Sequence, residues 1–131
     1  MAQAEHDAED APGDMRAMVV EDDTALRGIY SEALRDFGHE VRAARDGSAA
    51  LKILESGWTP GVVFLDLRMP GMDGWEFARR LRSNHRWDHT RLVVVAAHLQ
   101  VEDEAGKLGA DAWLRKPFDL VNLDEQARQT R

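Results

Sequence analysis

The chain has 131 residues and no cysteine, enough for one domain with a full core, and this excludes disulfides, thiolate zinc sites and a cysteine nucleophile. Lys and Arg number 17 against 24 Asp and Glu, a net charge of −7, so the surface as a whole repels nucleic acid and direct nucleic-acid binding is not expected. No apolar run is long enough to cross a bilayer.

Residues 1–15 are acidic and lack both the basic and the apolar region of a secretory signal. They are expected to form a tail without a fixed fold, ahead of one domain over 16–131. The cysteine-free composition fits a cytoplasmic protein. Ala17 to Val20 is a brief strand-type run that stops at Glu21-Asp22-Asp23. Leu26, Ile29, Tyr30, Ala33, Leu34 and Phe37 then recur at offsets of three and four, one face of an amphipathic helix. Asp23 or Thr24 caps its start and Gly38 is placed to end it.

Glu40 to Ala44 forms a second strand and Asp46-Gly47 a turn, with Ala50, Ile53 and Leu54 giving the next helix face. Val62-Val63-Phe64-Leu65 is an unbroken apolar run ending at Asp66, as a parallel strand covered on both sides requires. Turn formers fill Arg68 to Gly74, and Phe77, Ala78 and Leu81 mark a third helix. Ser83 to Asp88 reads as a loop. Leu92 to Ala97 is another buried strand, Val101 to Leu108 a short helix and Ala112 to Leu114 a fifth strand. Leu120, Leu123 and Ala127 outline a last helix. A βα unit repeated five times predicts a doubly wound α/β fold, a parallel sheet with helices on both faces.

Ligands of such sheets bind beyond the carboxyl ends of the strands. Glu21 and Asp22 follow strand one, Asp66 closes strand three and Lys116 follows strand five. Two carboxylates ~4 Å apart repel by about 4 kcal/mol at an effective dielectric near 20, so the cluster calls for a cation. Magnesium suits it, as a hard ion that takes oxygen ligands and a phosphate. One carboxylate oxygen can then act as nucleophile toward a phosphoryl group, and Lys116 supplies a point positive charge. Singly, each residue has a plainer explanation: helix-capping acids, a strand-ending aspartate, a loop lysine. Their convergence carries the argument.

Three stretches carry a resemblance: Val19-Val20-Glu21-Asp22-Asp23, Leu65 to Gly74 (LDLRMPGMDG), and Gly109 to Phe118 (GADAWLRKPF). From about Arg16 onward the chain resembles a bacterial response-regulator receiver domain of the single-domain, chemotaxis-regulator type. The resemblance implies a flavodoxin-like (βα)5 fold and a phosphoacceptor at Asp66. It implies magnesium held by Glu21, Asp22, Asp66 and the Arg68 backbone carbonyl, with Lys116 contacting the phosphoryl group. It also implies a histidine kinase or histidine phosphotransfer protein as phosphodonor.

The chain departs from the family where Ser or Thr usually ends the fourth strand, because Ala96 stands there. A methyl group cannot donate the hydrogen bond, which to a charged group is worth roughly 1.5–3 kcal/mol, about ten- to a hundredfold in switching bias. The backbone amide of Ala97 remains available to the phosphoryl group. Trp113 occupies the position of the usual switching Tyr or Phe, and reads equally as an outward partner contact or a core-edge aromatic. His98, two residues past Ala96, is a candidate for tuning water access to the acyl phosphate.

His85 and His89 lack a third metal ligand and read as solvated. Arg79, Arg80, Arg82, Arg86 and Arg91 read as a solvated helix face and loop. The favoured function is a phosphorylation-dependent switch that acts in trans, by docking an unidentified protein target, dimerising or relaying phosphate. The alternative is a phosphorylation-independent interaction module on the same fold. A phosphohydrolase ranks last, because Arg68 stands where that chemistry places a second carboxylate.

Overall fold

The apolar runs pair into five parallel strands, with a helix after each. The computed structural model describes residues 15–67, 74–97 and 100–131. The elements run β1 (Arg16–Val20), α1 (Thr24–Asp36), β2 (Glu40–Ala44), α2 (Gly47–Glu55), β3 (Val62–Asp66), α3 (Gly74–Ser83), β4 (Arg91–Ala96), α4 (Val101–Lys107), β5 (Ala112–Arg115) and α5 (Val121–Ala127). The sheet order is β2-β1-β3-β4-β5. Strand order therefore reverses between β1 and β3, and the crevice opens at their carboxyl ends.

Alternation along the strands divides the core. Met18, Val20, Val63 and Leu65 face α2, α3 and α4, packing against Leu54, Phe77, Leu81 and Val101. Ala17, Val19, Val62 and Phe64 face the other way, against Tyr30 and Leu34 of α1 and Leu123 of α5. All five residues of β3 and all six of β4 are buried, which explains their lack of polar alternation. Each fully buried Leu or Phe contributes roughly 1.5–3 kcal/mol of transfer free energy.

The local signals act as the sequence suggests. The Asp23 carboxylate accepts from the Leu26 amide at 3.0 Å and caps α1; the Asp46 carboxylate accepts from the Ala49 amide at 2.8 Å and caps α2. Gly38, at φ 101°, ends α1 in the left-handed region, where an L side chain would be strained. One stretch differs from expectation: His85–Trp87 is a 3-10 turn rather than an irregular loop. Trp87 is buried, so its indole holds the segment on the core while the Asn84 side chain accepts from the Arg86 amide at 2.9 Å. The acidic tail over 1–14, the turn over 68–73 with Arg68, and His98 lie outside the described residues.

Candidate functional site

Glu21 continues β1 past its last pairing, with its amide donating to the Ala44 carbonyl at 3.0 Å. That register turns its side chain inward, and only 2% of the residue is exposed. Asp22 next to it is exposed. Arg27, one turn into α1, donates to the Glu21 carbonyl at 2.8 Å and clamps the turn. Asp66 ends β3 and is 5% exposed. Lys116 follows β5, its amide donating to the Ala96 carbonyl at 2.8 Å, which fixes the base of its side chain beside β4.

The three carboxylates converge: one oxygen each from Glu21, Asp22 and Asp66 lies within 4.8 Å of the others. The Lys116 Nζ stands 3.2 Å from Glu21 Oε1 and 3.6 Å from Asp66 Oδ2. The amide of Asp23 donates to Glu21 Oε2 at 3.2 Å. Burial, then the hydrogen bond and charge of Asp66, push the Glu21 carboxyl up to about 7, against the opposing pull of the Asp23 amide and Lys116. Burial works against the Lys116 charge, but Asp66 and Glu21 outweigh it and hold the ammonium above its ordinary value.

One lysine thus faces three acids. Burial is the main cause of the raised Glu21 carboxyl, and the charge of Asp66 adds to it while Lys116 opposes it. The donors are all carboxylate oxygens, a set that suits a hard divalent cation such as magnesium and not a thiolate- or imidazole-seeking metal. Among the described residues, no other group of acids and histidines has this proximity.

The site's support was only partly visible in the sequence. Gly74 opens α3 against the backbone before it, and a Cβ there would lie 2.9 Å from Leu67 Cδ2, 3.1 Å from Leu67 Cα and 3.3 Å from the Asp66 carbonyl. Tyr30 stacks on Phe118 with ring centroids 5.4 Å apart; burial raises its phenol above the ordinary value, against the pull of Lys116. Only their apolar character signalled these two. The side chain of Arg27 as a turn clamp had no signal at all.

The description "Response regulator receiver domain" matches residues 17–128. The chain belongs to the response-regulator receiver family. It is 38% identical over 116 residues to the transcriptional regulatory protein TcrA of Mycobacterium tuberculosis, covering 87% of this chain and 45% of that protein. It is 39% identical over 111 residues to the response regulator MprA of Mycobacterium avium, covering 83% and 47%. The chain therefore spans about half the length of these curated relatives. Among solved structures, the chemotaxis protein CheY4 of Vibrio cholerae is similar at 29% identity and TM-score 0.77, over 85% of this chain and 93% of that one. The response regulator TrrA of Thermotoga maritima, solved with Mg2+-BeF, matches at 29% identity and TM-score 0.75, over 86% and 96%.

A receiver domain is a phosphoacceptor module of two-component signalling rather than a classical enzyme. The acidic cluster of this receiver is suited to magnesium-dependent phosphotransfer. No described helix is long and apolar enough to cross a membrane.

The remaining candidate residues contribute no carboxylate to the cluster. Ala96 ends β4 and is 1% exposed. Trp113 lies on β5 at 36% exposure, with the Arg115 guanidinium 5.6 Å from its ring centroid. His85 and His89 are exposed, as expected for solvated side chains. The five arginines do not form one solvated surface. Arg79 and Arg80 pair with Glu76 and Arg86 is exposed, but Arg91 is 7% exposed and bonds Gln126. Arg82, half-buried, pairs with Asp111 at 3.1 Å. That part of the expectation is corrected: Arg82 serves as a strut across the end of the sheet, and Arg91 starts a buried strand.

Proposed function

We propose that this receiver is a phosphorelay switch whose phosphoacceptor is Asp66. The carrying observation is the Lys116 ammonium between Glu21 and Asp66, with Asp22 in the same cluster. In the step proposed, an Asp66 carboxylate oxygen attacks the phosphorus of a phosphohistidine. The O–P bond forms as the N–P bond breaks, and the imidazole leaves with a proton from solvent. Glu21, Asp22, Asp66 and the Arg68 carbonyl would hold magnesium, which when bound offsets the phosphoryl charge. Lys116 pairs with Asp66 beforehand and with a phosphoryl oxygen afterwards. TrrA, a relative solved with Mg2+-BeF, supports the assignment of both ligands.

Switching would be atypical, because the buried methyl of Ala96 offers no hydroxyl to the phosphoryl group. Trp113, half-exposed beside Arg115, is then a contact for the protein target, and His98 is assigned a part in admitting water. The protein is incubated with magnesium and acetyl phosphate, and its intact mass is followed. A gain of one phosphoryl group that disappears in Asp66→Asn is expected. Ala96 also favours a second reading, a phosphorylation-independent interaction module. It is selected if neither acetyl phosphate nor a panel of histidine kinases produces an adduct.

A further inference from the structure

Helices α3 and α4 cover the same face of the sheet through Phe77, Leu81 and Val101. A groove of about 620 Å3 lies between them, walled by Trp75, Glu76, Arg79, Arg80, Lys107 and Leu108, with Arg82 and Ser83 completing it. Trp75, Arg79 and Arg82 on one row of α3, and Glu76, Arg80 and Ser83 on the next, follow the four-then-three spacing of one helix face. The chain carries −7 overall, yet this lining holds four cationic side chains and one carboxylate. Arg82 is spent inside the fold, on Asp111 at 3.1 Å and on the Thr90 carbonyl at 2.7 Å. The other three cations are exposed. Arg79 and Arg80 share Glu76, at 3.6 and 3.0 Å, and Lys107 pairs with no carboxylate among the described residues.

An exposed ion pair one helical turn apart is weak, so both guanidinium groups can pass from Glu76 to an incoming carboxylate, which a guanidinium takes at two points. From Trp75 to Ser83 the groove follows α3 for about 12 Å, the span of about four residues of extended chain. Its floor is apolar: Trp75 packs on the core and Leu108 is 7% exposed. A long groove with an apolar floor and a cationic rim suits an extended acidic segment better than a compact anion. We propose that the α3–α4 groove docks an acidic, extended segment of a partner protein. The segment's carboxylates lie against Arg79, Arg80 and Lys107, and an apolar side chain covers Trp75 and Leu108. None of Glu21, Asp22, Asp66 and Lys116 lines the groove, so docking there does not depend on the Asp66 assignment.

The test uses the full chain and a fluorescein-labelled peptide, Asp-Leu-Asp-Phe-Asp, followed by anisotropy. Binding is expected, and the analogue Asn-Leu-Asn-Phe-Asn should bind at least about tenfold more weakly. Arg79→Gln, Arg80→Gln and Lys107→Gln combined should weaken the acidic peptide by a similar factor. Glu76→Gln should tighten it by roughly twofold, because it releases two guanidinium groups. The peptide is expected to shift the amide resonances of Arg79, Ser83 and Lys107. Absence of binding, equal binding of the two peptides, or shifts confined to the Arg16 and Arg86 edge would overturn the proposal. Tripolyphosphate that binds where the peptide does not would also overturn it, by making the groove a phosphate site. The two peptides on the wild-type protein decide the matter independently of any variant. Acetyl phosphate labelling of the triple variant should be unchanged, so failure here is separable from failure at Asp66.

Discussion

Replacing Asp66 by Asn should stabilise the metal-free protein while abolishing phosphoryl acceptance. The charge of Asp66 attracts Lys116 across 3.6 Å, worth about 4.6 kcal/mol at an effective dielectric of about 20. Against that stand Glu21 and Asp22 within 4.8 Å, each repelling by about 3.5 kcal/mol on the same scale when charged. Asp22 is exposed and counts for less, so the pairwise terms nearly cancel. What remains is the desolvation of a carboxylate at 5% exposure, a penalty of several kcal/mol per buried ion that an amide largely avoids. Lys116 keeps Glu21 at 3.2 Å as its partner in either case. The expected outcome in EDTA is an increase of about 1–3 kcal/mol in unfolding free energy, read from urea melts with an unchanged slope. Magnesium at ten times its dissociation constant then adds about 1.4 kcal/mol to the wild type and less to Asp66→Asn, so the gap narrows. An Asp66→Asn protein that is less stable than wild type in EDTA, or that gains equally from magnesium, would refute this balance of charges.

Ala96→Ser places a hydroxyl at the end of β4, and beryllofluoride should bind about tenfold more tightly, the lower end of a hydrogen bond to a charged group. Tryptophan fluorescence titration checks this, and an unchanged affinity means the backbone alone sets the switch. Gly74→Ala forces a Cβ against Leu67 and the Asp66 carbonyl; a loss of about 1–3 kcal/mol is expected from overpacking, with slower acetyl phosphate labelling as Asp66 moves. Asp124 accepts from the buried His39 at 2.8 Å and from Arg128 at 2.9 Å; burial opposes the shift, but these bonds and charges hold its carboxyl below the ordinary 3.8. A depressed folded pKa gives stability that is complete above the ordinary value and fades as pH falls through the folded one. Asp124→Asn should therefore cost stability at pH 7, by about 1–2 kcal/mol, and the deficit should shrink below about pH 4; a deficit independent of pH would remove the charge from the explanation.

The architecture was legible because each element carried its own periodic signal. Val62–Leu65 could only be a strand covered on two sides, and the offsets from Leu26 to Phe37 could only be a helix face. Boundaries moved by a residue or so, since Arg16 and Arg91 lengthen strands whose apolar runs begin one residue later. Side-chain partners at long range were not legible. His39 is buried against Asp124, 85 positions away, and nothing local distinguishes it from the exposed histidines at 85 and 89. Arg91 reads as a surface charge until α5 brings Gln126 to it. The acidic cluster was readable for the opposite reason: its members sit at the ends of strands whose parallel order the pattern already dictated.

The ion pair between Lys116 and Glu21 joins positions 95 apart, and the lysine follows β5, an outermost strand paired only with β4 among the described elements. During synthesis the acids emerge long before their counter-ion, so a nascent chain carries their mutual repulsion before the charge that offsets it. Loss of the β4–β5 pairing would withdraw the lysine while leaving the pairings among β1, β2, β3 and β4 in place. The charge balance of the acidic cluster is thereby tied to the mechanical integrity of β5.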